Sequence, residues 1–501
     1  MTTARNKREE RGEIPLPEAF AAQMSQLMGD DVWLRYVKSM AQPPTTSIRL
    51  NPLKAKVGGA NDGINEKERG KTAGTVSGVA GIDLREADAV AWCRGGYYLP
   101  SRPVFTADPL LHAGVYYVQE ASSMFLDAVL RQYAADVGDI ALLDLCAAPG
   151  GKSTLARDAL TPGSLVISNE PVRQRAAVLS ENMQKWGHAG VIVTCNHAAD
   201  FSRAGMMFDV VMADVPCSGE GMFRKETAAA RMWSPRTVEQ CRRLQRSILR
   251  DVWPCLRPGG LMIYSTCTLN TREDEDNVMF ITRELGADTL PVDIDGAWGI
   301  MGSLSSDCHE HVYRFIPGTA RGEGLFMAVM RKHGDRGRRD ASRQDVFRQD
   351  AFRHDGSRRR IQPSATAVSR WLADNGKGMT ITLTGDTLTA MPARWQPTLD
   401  IVRQRLHLVN AGITVGAVKG CDIVPAHSLA MSADINAAAF CTADIGYDEA
   451  MAYLRRQPIS LPPSTPRGYV LVRFGGHPLG FVKNIGSRAN NMYPQAWRIL
   501  K

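Results

Sequence analysis

The feature that most constrains this chain is a series of strand-like runs that alternate with helical segments across its middle. The first unit, "IALLDLCAAPGGKSTLARDAL", is apolar from Ile140, turns at "APGG" and takes helical spacing from Lys152. Further strand-like runs follow in "SLVISNE", "GVIVT", "FDVVMAD" and "GGLMIYST". This alternation predicts an α/β fold with a parallel sheet and a ligand site at the carboxyl ends of its strands.

One of the intervening helices is predicted over "VEQCRRLQRSILRDVWPCL". Its spacing places one set of side chains on a single helical face, namely Val238, Cys241, Leu244, Ile248, Val252 and Leu256.

The glycine turn after the first strand indicates which kind of cofactor it can bind. A dinucleotide pyrophosphate needs the G-x-G-x-x-G pattern and free backbone amides, whereas "CAAPGGK" lacks that pattern and Pro149 removes one amide donor. The turn better suits a nucleoside ligand without phosphate, such as S-adenosylmethionine. Glu170 ends the second strand twenty residues past Gly150, where doubly wound folds place an acid on the ribose hydroxyls.

Acidic and thiol side chains end several of these strands. Asp144, Glu170 and Asp214 each follow an apolar run, and Cys267 ends the last run inside "YSTCTLN". Cys217 follows Asp214 in the turn "DVPCSGEG". A single cysteine is usually a small core residue. Two thiols that converge with cofactor-type acids at one sheet edge instead predict a reactive site.

Composition excludes several classes of protein. The 501 residues exceed one ordinary core, so two or three domains are expected. No stretch approaches the roughly 18 apolar residues that span a bilayer. The ten cysteines form no CxxC pair and no zinc-type spacing. We therefore expect a cytoplasmic protein with free thiols and no metal site.

The net charge of +8 is unevenly distributed along the chain. Residues 331–362 hold 11 Lys/Arg against 5 Asp, an excess of 6 positive charges, with little apolar material between them. This composition predicts a basic flexible linker. The linker is either merely solubilising or in contact with RNA.

Four motifs in this chain together resemble one known family. In their order and spacing, "DLCAAPGGKS", "NEP", "ADVPCSGEGMFRK" and "YSTCTLN" are similar to motifs of the bacterial Sun/NOL1/NOP2 family of RNA cytosine-5 methyltransferases. "GVYYVQEASSM" resembles the opening of that family's catalytic domain, and "GGHPLGFVKNIGSRANNMYPQAWRI" resembles the tail of its RsmF-type members. The resemblance implies a Rossmann-like class I methyltransferase domain, S-adenosyl-L-methionine as cofactor and, for the RsmF type, a 16S rRNA substrate.

The resemblance also implies a division of catalytic roles. It assigns to Cys267 the attack on C6 of the target cytosine and to Cys217 assistance in releasing the methylated base. It places Asp214 and Lys152 beside that base. Addition at C6 is needed because C5 of cytosine is a poor nucleophile, and the attacking thiol must first become a thiolate.

For the cofactor, the resemblance implies contacts to each of its parts. Glu170 is expected to bind the ribose, and Asp214 to lie near the methionine end. The family's acid on the adenine side is replaced here by His197, with Asn196 or Asp200 as alternatives. Contacts of the turn are carried over to Cys146, Ala147, Ala148, Pro149, Gly150, Gly151 and Lys152.

The resemblance further implies how the chain is divided and what it binds. We expect an N-terminal RNA-binding extension, a catalytic domain, the basic linker and a C-terminal PUA-like RNA-binding region, over residues 1–113, 114–332, 333–363 and 364–501. Arg224 and Lys225 are expected to add phosphate contacts. The expected partner is RNA, either 16S rRNA or the small ribosomal subunit, bound by a monomer. Removing the C-terminal region is expected to leave cofactor binding intact.

Other functions stay open at this level. A tRNA cytosine-5 methyltransferase is one alternative, and a catalytically silent ribosome-assembly protein is another, although both thiols and the cofactor turn are present. A small-molecule methyltransferase would not explain the paired cysteines, the basic segment or the additional domains. Methylation of uridine is disfavoured by the cysteines of "PC" and "TC" together.

Overall fold

The structure is a computed structural model that describes residues 16–55, 82, 84–335 and 363–500. Apart from its ends, the predicted linker over residues 333–363 therefore lies outside the described residues. An N-terminal region, a central α/β domain and a C-terminal region pack together in the described chain.

The N-terminal region consists of a long helix and a small antiparallel sheet. Helix α1 spans Glu18–Met40 and bends at Gly29, whose φ of +71° lies outside the helical range. The described strands are β1 (Thr46–Leu50), β2 (Asp88–Ala89), β3 (Gly96–Leu99) and β4 (Tyr116–Val118), with helix α2 (Pro109–His112) before β4. Their order in the sheet is β2-β3-β1-β4. Because β4 pairs with β1, the N-terminal sheet crosses the boundary expected at residue 113.

The centre of the main sheet is parallel, which confirms the prediction from sequence. In the described chain its parallel strands are β5 (Ala141–Asp144), β6 (Leu165–Asn169), β7 (Val191–Thr194), β8 (Phe208–Asp214) and β9 (Leu256–Thr266). They lie in the order β9-β8-β5-β6-β7. The winding direction reverses between β5 and β8, and doubly wound folds bind ligands in the crevice beside such a switch point.

Antiparallel strands extend the main sheet at both edges. Beyond β9 lie β10 (Ala287–Thr289), β11 (Val312–Phe315) and β12 (Leu325–Lys332), of which β12 pairs with β9. At the other edge, β7 pairs with residues 408–411 of the C-terminal region. The catalytic sheet is therefore completed by a distant part of the chain.

Helices cover both faces of the main sheet. They include α3 (Leu126–Tyr133), α4 (Gly151–Ala159), α5 (Arg173–Trp186), α6 (Ala198–Arg203), α8 (Pro235–Val252) and α9 (Glu275–Phe280), whereas α7 (Thr227–Met232) packs in a separate cluster with α1. Successive strand residues enter opposite cores, as Leu142 and Leu143 of β5 do. Burial on both faces explains why these strands read as continuous apolar runs. Throughout the described ranges, none of the helices is both long and apolar enough to cross a membrane.

The buried face of α8 differs from the predicted one. Leu244 is 49% exposed, and Leu256 belongs to β9 rather than to the helix, so the prediction is wrong for both. Gln245 lies inward instead and is fully buried, because its Nε2 donates to the Pro216 carbonyl oxygen at 2.9 Å. A hydrogen bond to a loop thus takes the place of an apolar contact.

The C-terminal region contains two further sheets. Its described helices and strands are α10 (Pro363–Ser369), β13 (Met379–Thr384), β14 (Thr387–Pro392), α11 (Gln396–Arg405), β15 (Leu408–Ala411), β16 (Ile413–Lys419), β17 (Asp422–Pro425), α12 (His427–Met431), β18 (Cys441–Asp444), α13 (Tyr447–Leu454), β19 (Gly468–Phe474), β20 (His477–Asn484) and β21 (Ala489–Asn491). The sheet orders are β13-β14-β16-β17 and β18-β19-β20-β21, whereas β15 joins the main sheet.

The three regions share apolar cores. Leu399 of α11 belongs to the same cluster as Ile192 of β7. Val470 of β19 belongs to a cluster with Ile48 of β1, so the last sheet packs against the N-terminal sheet. These shared cores argue against the expectation that removing the C-terminal region leaves cofactor binding intact.

Candidate active site

Adjacent strand ends bring the predicted side chains together. Strand β5 ends at Asp144, β8 at Asp214 and β9 at Thr266, and these strands are neighbours in the sheet. The turn after β5 is the predicted cofactor turn. The loops after β8 and β9 carry the two thiols. We call residues 215–221 the Cys217 loop and residues 267–270 the Cys267 loop.

The predicted cofactor turn, residues 146–151, leads into α4. Gly150 has φ of +116°, a conformation that other residues rarely adopt, so this position requires glycine. The Ala147 amide donates to the carbonyl oxygen of Asn169 at 2.8 Å, which fixes the turn against β6. Burial raises the pKa of the Cys146 thiol, so this cysteine stays protonated at neutral pH. Its contribution to the turn is packing.

Glu170 lies at the end of β6 and is fully buried. Its Oε1 accepts a hydrogen bond from the Val172 amide at 3.1 Å. Among the described residues, its Oε2 has no hydrogen-bond partner, although Arg175 Nη1 lies 3.4 Å away. A buried acceptor left in this state beside the cofactor turn fits a ribose hydroxyl.

Asp144 is buried beneath the same turn. Its Oδ2 accepts a hydrogen bond from Ser153 Oγ at 2.6 Å, and its Oδ1 has no partner within the described chain. Burial, reinforced by the carboxylate of Asp214, raises the pKa of Asp144 to about 7. Asp144 is therefore an acid whose charge changes near neutral pH.

The adenine-side candidates lie after β7. The His197 side chain is exposed, and its amide donates to Asp200 Oδ2 at 2.8 Å. Asn196 Oδ1 accepts from the His407 amide at 2.9 Å, which ties this segment to the C-terminal region. Asn196 and Asp200 thus have structural partners. Contact between His197 and a cofactor stays a prediction.

The two predicted thiols lie side by side. The Sγ atoms of Cys217 and Cys267 are 3.1 Å apart. The hydrogen bond to Cys267 and burial together raise the pKa of Cys217 well above its usual value. Cys217 therefore stays protonated at neutral pH in the free protein.

An ion pair lies at the end of β8, next to the thiols. Lys152 Nζ is 2.9 Å from Asp214 Oδ2, and Asp214 Oδ1 accepts from Ser265 Oγ at 2.7 Å. Burial alone would lower the pKa of Lys152, but the Asp214 carboxylate and the nearby Cys267 raise it on balance. Lys152 is consequently a half-buried cation that interacts with both the carboxylate and the thiol.

Two buried carboxylates behind the thiols were missed by reading the sequence. Glu220 belongs to the Cys217 loop, and Glu273 follows the Cys267 loop by three residues; both are almost fully buried. Each accepts hydrogen bonds from the opposite loop. The available signal was weak, because an acid in "CSGEG" or "LNTRED" reads as an ordinary polar turn residue.

The prediction for Arg224 is wrong. Its guanidinium is buried and pairs with Glu323, with Nη2 at 2.8 Å from Oε1, and Nη2 also donates to the Gly322 carbonyl oxygen. A cation neutralised in this way does not reach an RNA phosphate. Lys225, by contrast, is exposed. Across the described ranges, no cluster of His, Cys, Asp and Glu side chains could hold a metal ion.

Family models match this chain in the order of its regions. Residues 16–121 match the N-terminal domain of 16S rRNA methyltransferase RsmF, residues 133–331 match 16S rRNA methyltransferase RsmB/F, and residues 442–499 match the methyltransferase RsmF PUA domain. The chain belongs to the RsmB/F methyltransferase family. The predicted family resemblance is confirmed, as are the methyltransferase class and the PUA domain.

Individual RsmB/F relatives extend this result. The Ribosomal RNA small subunit methyltransferase F of Erwinia tasmaniensis is 28% identical over 96% of both chains. The protein of that name from Aeromonas salmonicida is 32% identical over 64% of both chains. A methyltransferase homolog protein from Pyrococcus horikoshii has the same fold, with a TM-score of 0.51 and 23% identity over 66% of this chain and 100% of that chain. The predicted α/β methyltransferase fold is therefore confirmed.

Proposed function

We propose that this chain transfers a methyl group from S-adenosyl-L-methionine to C5 of a cytosine in 16S rRNA. The observation that carries the proposal is the thiol pair, 3.1 Å apart, beside the Lys152–Asp214 ion pair at the end of a parallel sheet. A base nitrogen is already nucleophilic and needs no covalent activation. C5 of cytosine does need it, and a thiolate can supply it.

The cofactor part of the proposal rests on the turn over residues 146–151 and on Glu170. Glu170 Oε2 is a buried acceptor without a hydrogen bond in the described chain, and a ribose hydroxyl would supply the missing donor. We assign the methionine end to Asp214 and the adenine side to His197. When bound, S-adenosyl-L-methionine supplies an electrophilic methyl group.

Cys267 is assigned the covalent step. Its thiolate adds to C6 of the cytosine, so an Sγ–C6 bond forms and the electrons of the C5=C6 double bond move to C5. C5 is then nucleophilic enough to take the methyl group. A base then takes the C5 proton, the C5=C6 double bond reforms, and the Sγ–C6 bond breaks with its electron pair returning to Cys267 as a thiolate; we assign the base to the Cys217 sulfur once it has lost its own proton. We assign assistance in this release to Cys217, the neighbouring thiol.

Lys152 and Asp214 are assigned to charge stabilisation at the same place. Lys152 interacts electrostatically with Cys267, and we assign its positive charge to stabilising the negative charge of the attacking sulfur. Asp214 is held by Ser265 and Lys152, so its orientation is fixed before the base arrives. Its carboxyl group is proposed to hold the N3/N4 edge of the cytosine.

The RNA part of the proposal rests on the relatives and on the C-terminal region. The relatives are named for the small-subunit ribosomal RNA, and residues 442–499 match a PUA domain of RsmF. The excess of positive charge over residues 331–362 also suits a polyanion. A base inside a duplex cannot reach these half-buried thiols, so the target cytosine must be single-stranded or flipped out.

Trapping of the covalent adduct tests this function. Cys217→Ala is expressed in a bacterial host, the lysate is denatured, and RNA that stays attached to the protein is sequenced. We expect a denaturant-resistant adduct containing 16S rRNA, which disappears when Cys267 is also replaced by alanine. Cys241→Ala, which removes a half-buried thiol from α8, is the matched control and should form no adduct.

Each other outcome contradicts a defined part of the proposal. Wild-type methylation of RNA without an adduct in Cys217→Ala would remove Cys217 from the release step. Activity near wild type in Cys267→Ala would exclude the covalent mechanism. Attached tRNA in place of 16S rRNA would contradict the assignment of 16S rRNA as the substrate, but it would still support the covalent mechanism.

A further inference from the structure

The two thiol loops are joined by buried carboxylates that the reaction itself does not use. Glu220 and Glu273 have 1% and 0% of their surface exposed. Burying a carboxylate is costly unless hydrogen bonds compensate for the lost water. The donors that compensate here come from the loops that carry Cys217 and Cys267.

Glu220 reaches from the Cys217 loop to the Cys267 loop. Its Oε2 accepts from the Leu269 amide at 2.8 Å and from Thr268 Oγ1 at 2.7 Å. Its Oε1 accepts from Asn270 Nδ2 at 2.8 Å. Trp233 Nε1 donates to the same Oε1 at 2.7 Å. Three of these four contacts hold residues that follow Cys267 directly in the chain, and Trp233 fixes the carboxylate from another segment.

Glu273 makes the reverse connection. Its Oε2 accepts from the Ser218 amide at 3.1 Å, and its Oε1 accepts from Ser218 Oγ. Ser218 is the residue next to Cys217. Gln245 of α8 donates to Oε2 at 2.7 Å, and Asn270 donates to Oε1 at 2.9 Å. Glu273 thus binds the Cys217 loop from the segment that follows Cys267.

A carboxylate is the side chain that fits both positions. Each oxygen of Glu273 accepts from two donors among the described residues, and an amide would replace one of those oxygens with a further donor. Hydrogen bonds to a charged group are stronger than those between neutral groups. The backbone adds a smaller link, since the Gly221 amide donates to the Cys267 carbonyl oxygen at 2.8 Å.

We propose that Glu220 and Glu273 are positioning residues that clasp the two thiol loops and set the distance between the Cys217 and Cys267 sulfur atoms. The clasp acts through the loops and touches no substrate. This inference rests on the proposed function in one respect: the distance between the sulfur atoms matters for catalysis only if both thiols take part in the reaction. The distance itself is a property of the folded chain and can be measured without RNA or cofactor.

The affinity of a trivalent arsenical for the thiol pair tests the clasp, because this reagent binds tightly only where two sulfur atoms lie close together. Phenylarsine oxide condenses with two neighbouring thiols, forming two As–S bonds and releasing water, and it binds a pair far more tightly than a single thiol. We expect Glu273→Gln and Glu220→Gln each to weaken its binding about tenfold, because each loses hydrogen bonds to a charged group. Ser218→Ala, which keeps both carboxylates, should weaken binding less, and Cys217→Ala defines binding to single thiols.

A matched control separates positioning from general loss of stability. Asp108 is also a buried carboxylate, and it accepts from the Leu110 amide at 2.9 Å and from Tyr116 Oη at 2.8 Å in the N-terminal region. Asp108→Asn should lower the melting temperature and leave arsenical binding at the wild-type value. In methylation assays the clasp variants should lower kcat more than they raise KM, with cofactor affinity unchanged.

Arsenical affinity within twofold of wild type in both glutamine variants would overturn the clasp. An equal loss of affinity in Asp108→Asn would overturn it too, because the effect would then be one of stability alone. Failure of the proposed function gives a different pattern. The clasp variants would still lose arsenical affinity, while no RNA adduct would form in Cys217→Ala.

Discussion

At the scale of single residues, the candidate site is built on acids that the described chain leaves partly unsatisfied. Glu170 Oε2 and Asp144 Oδ1 are buried without hydrogen-bond partners there. A buried polar atom without a hydrogen bond costs about 1–3 kcal/mol, and at Glu170 the ion pair with Arg175 offsets part of this cost. A ligand that donates to such an atom recovers this cost, so these positions favour binding at the expense of stability in the free protein.

Replacing Glu170 tests its assignment to the ribose. Glu170→Ala should raise the dissociation constant of S-adenosyl-L-methionine at least about tenfold, since a hydrogen bond to a charged group is lost. Titration calorimetry measures this constant. Glu181→Ala is the control, because Glu181 pairs with Lys185 on α5. Equal affinity in Glu170→Ala and wild type would remove Glu170 from the site.

Asp144 should make the stability of the free protein depend on pH. Its pKa is about 7 in the folded state against 3.8 ordinarily, so the folded state holds a proton that the unfolded state releases between these values. Its contribution therefore makes the unfolding free energy fall as pH rises from 3.8 to about 7. Asp144→Asn abolishes this contribution.

Urea unfolding of Asp144→Asn and of the wild type at several pH values tests whether Asp144 lowers the unfolding free energy as the pH rises. The variant should gain relative stability with rising pH, by up to about 1.4 kcal/mol per pH unit in this window. Above pH 7 the difference should be constant. A difference that does not vary with pH would mean that Asp144 ionises normally in the folded protein.

Sequence reading at this scale succeeded where a residue is marked by its place after a strand. Cys217, Cys267 and Asp214 follow apolar runs, and the structure brings them together at one sheet edge. Glu220 and Arg224 carry no such mark, because their environment is created by residues far along the chain. Arg224 pairs with Glu323, 99 residues away, which a local pattern cannot reveal.

At the scale of helices and strands, the parallel strands were predictable because each is buried on both faces and reads as an apolar run. The inward face of α8 was not predictable from sequence, because Gln245 lies on that face and donates hydrogen bonds to Pro216 and Glu273. The pairing of β15 with β7 was also beyond prediction. A short strand carries no signal for a partner so distant in sequence.

At the scale of the whole molecule, the shared cores predict the result of truncation. Deleting residues 364–501 removes Leu399 and the other side chains of the C-terminal region that complete the core beside β7. It also leaves the edge of β7 unpaired. We expect the truncated chain to lose cofactor binding and cooperative unfolding together, measured by calorimetry and thermal denaturation. A soluble truncated chain with wild-type cofactor affinity would show that the cores are independent.

The position of β15 also has a consequence for biosynthesis. The chain is made from its N terminus, so both thiols and the cofactor turn leave the ribosome well before His407, which lies 211 residues after its partner Asn196. Until then the outer edge of β7 has free backbone groups, and an open edge invites pairing with other chains. A nascent chain therefore carries all its catalytic motifs in an unfinished sheet. Premature termination before residue 408 should yield aggregation-prone fragments rather than a smaller working enzyme.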